Sequence, residues 1–249
     1  MELSDWSREA LWAGVTGVIF LRYLLMAGIP YWYFYGFKAK SWRLRKLQAA
    51  YPPARQISRE IIFSLRSLLI YSAGAWIFLG WILEGRTLRY ARVEEFGWGY
   101  LALSFAAMLI LHDAYFYWTH RLMHHRALFK WTHRTHHAFH NPSPWCAFAF
   151  HPAEAILSMG IIPLIVFVIP WHYYAFIAFL SVMTLYDVYI HLGFRLLPQH
   201  PSGISYTPDL HDWHHRRSRG NYGLYFTFWD RWMRTFRAPA VAARHPGNG

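Results

Sequence analysis

Apolar residues run almost unbroken through five stretches, near 11–35, 61–83, 97–118, 155–170 and 172–192, with short polar connections between them. Roughly 20 such residues carry an α-helix across a bilayer, so the pattern predicts membrane-spanning helices rather than the amphipathic elements of a water-soluble core. The first stretch holds Arg22 well inside it, which is costly in hydrocarbon unless the side chain snorkels or faces other helices. Its aromatic end, Tyr31-Trp32-Tyr33-Phe34-Tyr35, suits an interfacial belt. The last two stretches are short and parted only by Pro170 and Trp171, as a hairpin that enters and returns would be. The expected fold is all-α and integral to the membrane, with about four transmembrane helices: two spans, then a span and a hairpin.

Composition agrees with this reading. Of 249 residues, 55% are hydrophobic and 20% aromatic, which is too apolar for an ordinary soluble domain. The net charge of +12 could suit a nucleic-acid partner, but the basic residues sit in short loops beside apolar runs rather than along one polar face, so none is expected. Cys146 is the single cysteine, excluding an internal disulfide, a multi-thiolate zinc site and an iron–sulfur cluster. The acidic start MELSDWSREA does not read as a cleavable signal, so the first apolar segment is expected to stay as an anchor.

The loop from Lys38 to Arg59 has seven Lys or Arg residues and no acid, which places it in the cytoplasm by the positive-inside rule. The 84–96 loop then lies outside, and a third span followed by a hairpin returns everything from His120 onward to the cytoplasmic face, as a helical cap. No long repeat or low-complexity linker appears, so one domain is expected over 1–249: helices and loops at 1–96, a catalytic region at 97–237 and a short tail at 238–249.

The histidines concentrate in HRLMHH at 120–125, HRTHH at 133–137 and HDWHH at 211–215. On a helix His120 and His124 share a face, and His133, His136 and His137 follow the i, i+3, i+4 pattern that His211, His214 and His215 repeat. Eight imidazoles exceed the capacity of one metal, so two are implied. Imidazole suits zinc, copper, iron and nickel alike. H-E-x-x-H, the zinc-protease signature, is absent, as is the Glu-x-x-His pair of soluble di-iron bundles. A membrane face with an apolar substrate favours iron, in an all-histidine site able to use O₂ against a saturated carbon. The lone His112, His140, His172, His200 and His245 read as structural or surface residues. Arg216, Arg217 and Arg219 read as a solvated or headgroup-facing surface.

From DAYFYWTHRLMHH through LFKWTHRTHH, NPSPWCAFAFHPAE and IHLGFR to HDWHHRRSRGNYGLYFTFWDR, residues 113 to 231, the chain resembles the fatty acid hydroxylase and sterol desaturase superfamily. Within it the Pro-x-Pro-Trp…Ala-Phe-His-Pro stretch is similar to the sterol C5-desaturase (lathosterol oxidase) branch. The resemblance implies a membrane-bound oxidoreductase with two non-haem irons and O₂ as co-substrate. It implies electrons from an external donor such as cytochrome b5 or a ferredoxin with its reductase, and a sterol-like lipid substrate. The implied ligands are His120, His124 or His125, His133, His136, His137, His191, His211, His214 and His215; helical phase favours His124, whereas some relatives space that box one residue longer. His151 would lie behind a ligand. Asp187, where some relatives have histidine, leaves a ligand missing or replaced by a carboxylate. Asp113 would orient a ligand imidazole or serve structurally. Hydroxylation of a fatty acyl, carotenoid or sterol-methyl substrate is the nearest rival, a zinc-dependent membrane hydrolase or a non-catalytic lipid binder a more distant one. A bacterial inner membrane and the endoplasmic reticulum fit equally.

Overall fold

Among the described residues four helices are long and apolar enough to cross a membrane. α1 runs Arg8–Tyr31 and continues as a π-helical segment, Trp32–Phe37, just past Pro30, whose missing N–H loosens the regular ladder. α2 spans Ala54–Leu83 and α3 Gly97–Met123, each longer than its apolar run alone. After the helical turn α4, Arg134–His137, the chain forms α5, Pro152–Met159, and α6, Ile161–Val168, and then the fourth long helix, α7, Tyr173–Ile190. α8, Pro208–Arg217, and α9, Phe228–Trp232, complete the fold. This computed structural model describes residues 6–196 and 203–238, so His200 and His245 lie outside the described residues. Among those described no strand forms, only isolated bridges.

The lipid-facing side of α1 carries Val18, Leu21, Leu25 and Ile29, all exposed and spaced at helical period, as expected for a surface solvated by acyl chains rather than water. The inner side packs Tyr23 and Ala27 against Leu68 of α2 and Val188 of α7. The hairpin of α5, α6 and α7 reaches the far end of the bundle. At its tip Leu88 donates its N–H to the Val166 carbonyl, and Tyr90 donates to the Trp171 carbonyl, each at 3.0 Å.

At the opposite end Leu47 donates to the Gly193 carbonyl at 3.0 Å and Tyr35 Oη to the Leu192 carbonyl at 2.9 Å. The basic 38–59 loop and the histidine-bearing segments therefore share one end of the bundle: Gln48 Nε2 donates to the His140 carbonyl at 2.8 Å and also bonds Asp212 in α8. A clasp below this cap holds the 141–149 stretch. Ser64 Oγ and Tyr23 Oη both donate to the Trp145 carbonyl, at 2.8 and 2.9 Å, and the fully buried Glu60 accepts from Ser143 Oγ.

Candidate metal centre

The three boxes and α7 converge so that ligand-capable nitrogens gather in two groups, each with all its atoms within 4.8 Å of one another. One holds His120, His124, His133, His137 and His214; the other holds His136, His191, His211 and His215. Local helical geometry explains the division. The i, i+4 pairs stay together: His120 with His124, His133 with His137, and His211 with His215. The i+3 member of each triplet crosses over, so His136 joins the α8 pair while His214 joins the α4 pair. Because of these crossings the groups adjoin, with the His133 and His136 rings stacked at 5.2 Å and those of His211 and His214 at 5.6 Å.

Proton placement follows from what the other ring nitrogens face. His120 Nδ1 meets the Tyr222 carbonyl at 2.9 Å, His191 Nδ1 the Asp187 carbonyl at 2.7 Å, His214 Nδ1 the Gly220 carbonyl at 2.7 Å and His215 Nδ1 the Phe139 carbonyl at 3.0 Å. A carbonyl can only accept, so each Nδ1 carries the proton and each Nε2 presents a lone pair; this assigns the tautomers from the network. Yet His215 Nε2 lies 3.3 Å from His191 Nε2, and the Nε2 atoms of His120 and His133 are buried with no partner at all. Lone pairs that face one another across about 3 Å in a dry interior repel, unless a cation lies between them.

Burial, reinforced by the neighbouring imidazoles, holds His133, His136, His137, His211 and His215 well below the usual imidazole range. Burial pushes His214 down to about 4. These six rings are thus neutral imidazole at physiological pH, the form that binds metal. Two carboxylates back the cage. Glu154 Oε1 accepts from His133 Nδ1 at 2.6 Å, and Asp187 Oδ1 lies 3.3 Å from His191 Nδ1, the carboxylate–histidine pairing that orients and strengthens a metal-ligating ring. Sequence reasoning does not single out Glu154. Its signal was available, an acid inside an otherwise apolar run directly after His151-Pro152, where only a buried partner justifies a charge.

The C-terminal Asn221-Tyr222-Gly223…Trp229-Asp230-Arg231 stretch supplies no ring to either group, and its role is to position carbonyls. Asp230 accepts the N–H groups of Tyr222 and Gly223 at 2.9 and 2.8 Å, and Asn221 spans to Arg237 through both its amide and its carbonyl, at 2.8 and 2.7 Å. The loop so held presents the Gly220 and Tyr222 carbonyls to His214 and His120. Gly220 has φ +72, and a Cβ there would meet the Thr235 carbonyl oxygen at 2.4 Å, so glycine is required.

Not every histidine or acid named from the sequence reaches the cage. α3 ends at Met123 with His124 at its C-cap, still in phase with His120, whereas His125 is turned out, exposed, its Nδ1 near the Ala127 N–H at 3.4 Å. Asp113 meets no cage imidazole; it accepts the N–H of Tyr225 at 2.9 Å and of Phe226 at 3.3 Å and so pins the C-terminal loop to α3. His151 caps α5, accepting from the Ala153 N–H at 3.2 Å, one turn from Glu154. Asp187 is outside both groups of converging nitrogens. His112 bonds Tyr225 Oη at 2.9 Å, His172 caps α7, and His140 is exposed. Cys146 is buried, 4.0 Å from His136 Nδ1, and burial pushes its thiol well up, leaving it a weak nucleophile and ligand.

On the membrane side of the cage an apolar cavity of about 230 Å³ opens between α1, α2, α3, α6 and α7. Val15, Ile19, Phe78, Ile161, Phe176 and Leu180 line its apolar walls. A smaller void bounded by His120, His133, His136, His191 and His211 shares His112, Phe116, Phe150, Ser158 and Asp187 with it, so the two are contiguous.

Site and architecture together define an all-α chain with four candidate membrane helices and an apolar cavity that ends on paired histidine cages able to hold metal. Residues 105–235, more than half the chain, match the fatty acid hydroxylase family, and the chain belongs to that family. It is 32% identical over 187 residues to the lathosterol oxidase of Mus musculus, covering 74% of this chain and 62% of that one. Delta(7)-sterol 5(6)-desaturase ERG3B of Gibberella zeae is 28% identical over 184 residues, covering 74% and 57%. Delta(7)-sterol 5(6)-desaturase erg3C of Aspergillus fumigatus is 26% identical over 272 residues, covering 96% and 81%. The chain thus spans about three fifths of the length of the first two. No solved structure matches.

Proposed function

We propose that the chain is an O₂-dependent lipid oxidoreductase whose two histidine cages each hold an iron ion and whose apolar cavity holds the lipid. His120, His124, His133, His137 and His214 would hold one metal, and His136, His191, His211 and His215 the other. Bound iron would supply O₂ activation and hydrogen abstraction from an unactivated C–H bond. The protein's part is to keep the imidazoles neutral and aimed by the Gly220, Tyr222, Phe139 and Asp187 carbonyls, and to press a carbon against the inner end of the cavity with water excluded. The observation that carries this reading is the convergence of lone-pair nitrogens where the cavity ends.

Desaturation of a sterol-like lipid is the favoured outcome, on the names borne by the relatives. In it the lipid loses two hydrogens, an external donor adds two electrons, two protons come from solvent, and both atoms of O₂ leave as water; in hydroxylation, with the same electrons and protons, one oxygen atom enters the C–H bond and the other leaves as water. The donor is a separate protein such as cytochrome b5 or a ferredoxin with its reductase. The basic 38–59 loop supports a cytoplasmic location for the cage.

Metal analysis of detergent-purified protein, paired with aerobic and anaerobic lipid assays in a host that supplies a reductase, tests the proposal. Iron in both cages and an O₂-dependent mass change are expected, a loss of about two mass units for a new double bond or a gain of about sixteen for an alcohol. Zinc with O₂-independent turnover would move the chain to a hydrolase.

A further inference from the structure

Arg22 remains without an assigned purpose. It lies 14 residues after Arg8 within the first span, about 21 Å along the helix and so deep in the hydrocarbon zone. Its Nε is sealed from solvent with no hydrogen-bond partner, and no ion pair to it forms among the described residues. Guanidinium has five N–H donors, accepts nothing and does not lose its proton, so this arrangement is expensive unless something else supplies an acceptor.

Arg22 is half-buried and lines the apolar cavity, so an acceptor on a molecule inside the cavity is within its reach. The other polar groups on the wall are already engaged. Tyr71 Oη pairs with Ser158 Oγ at 3.1 Å, His112 with Tyr225 Oη at 2.9 Å, and Asp187 with His191 at 3.3 Å. α1 is tied to α2 where Trp12 Nε1 and Thr16 Oγ1 bond Ser72, at 2.7 and 2.6 Å. From Thr16 the helix runs a further six residues to Arg22, about 9 Å toward the histidine end. Of the α1 residues on the cavity wall, Val15, Ile19 and Arg22, it is the one furthest along the helix toward the histidine end.

We propose that Arg22 binds an oxygen acceptor on the lipid, a hydroxyl or a carboxylate, and so selects amphiphiles that carry this group near the reacting carbon. The inference rests on the reading of the cavity as the lipid site. A methionine would fill the same space without burying a charge, so a purely structural arginine is hard to justify here.

Equilibrium binding to detergent-purified protein tests it, with radiolabelled lathosterol, its 3-deoxy counterpart, stearic acid and octadecane as probes. Wild-type protein is expected to bind an oxygen-bearing probe roughly ten- to hundredfold more tightly than its deoxygenated partner, the range of one hydrogen bond to a charged group. Preference within the lathosterol pair identifies a hydroxyl, within the stearic acid pair a carboxylate. Arg22→Met should erase the preference, bringing the affinities of the two members of each pair together, and Arg22→Lys should keep part of it. No preference in the wild type overturns the proposal whether or not any variant folds; so does failure of every probe to bind, or a preference intact in Arg22→Met. Binding is read without turnover, so a preference retained in a protein that lacks iron or O₂-dependent activity would sink the oxidase reading and leave Arg22's role standing.

Discussion

At the residue scale the crossings of His136 and His214 do most to make the two cages one site. Each sits at the i+3 position of its box and leaves its own helical turn for the other group. His214→Ala should therefore lower the metal content of the purified protein and abolish turnover, while membrane insertion and detergent elution stay as in the wild type. His124→Ala and His125→Ala make a sharper pair: the first removes a ring whose Nε2 is 3.1 Å from His214 Nε2, the second an exposed side chain. Loss of metal is expected for His124→Ala only, read by elemental analysis. Glu154→Gln keeps the shape but removes the carboxyl group behind His133. Partners of this kind are worth about 10- to 100-fold in metal affinity, so competition with a chelator should show a weakening of that order.

At the level of elements, α8 and the loop after it work as a unit. The helix supplies three rings and the loop returns two carbonyls that set the tautomers of His214 and His120. Gly220→Ala would force a side chain into a left-handed backbone and against the Thr235 carbonyl. The expected result is a less stable protein with reduced metal content, although Gly220 contributes no ligand. Asn221→Ala would free the same loop from Arg237 and should act in the same direction, read by metal content against circular-dichroism melting. The NYG…WDR signature, read in the sequence as a family mark, is thus a backbone brace.

For the whole molecule, metal held in the two cages as proposed would tie the cap to the bundle. Neutral imidazoles crowded nitrogen to nitrogen form a good interior only with cations between them, so chelation should lower the melting temperature substantially, and re-addition of iron should restore it. The metal-free protein should also weaken in mild acid. Folded His214 is held down to about 4 against an ordinary 6.5, so between those values the unfolded chain binds a proton that the folded chain refuses, and stability falls as pH falls. A melting series from pH 7.5 to 5 on chelated protein would show it. Orientation has its own check: cysteines placed at exposed Arg55 and Glu94 should label from opposite sides of the membrane, with Arg55→Cys on the cytoplasmic side, and buried Cys146 should stay silent.

Much of this was legible in the order of residues, because the relevant physics is local. Long apolar runs must become helices in a bilayer, since only a helix satisfies its own backbone groups there, and histidines at i, i+3 and i+4 must lie along one side of a turn. The spans, the hairpin and the three boxes follow from spacing alone. What spacing could not decide is which nitrogen meets which, because that depends on contacts between residues up to about a hundred positions apart. Only the folded chain brings Tyr222 O to His120, Glu154 to His133 and Asp187 to His191, sends Asp113 to a loop and His125 to the surface, and sets Arg22 on the wall of an apolar cavity with its Nε unpartnered among the described residues.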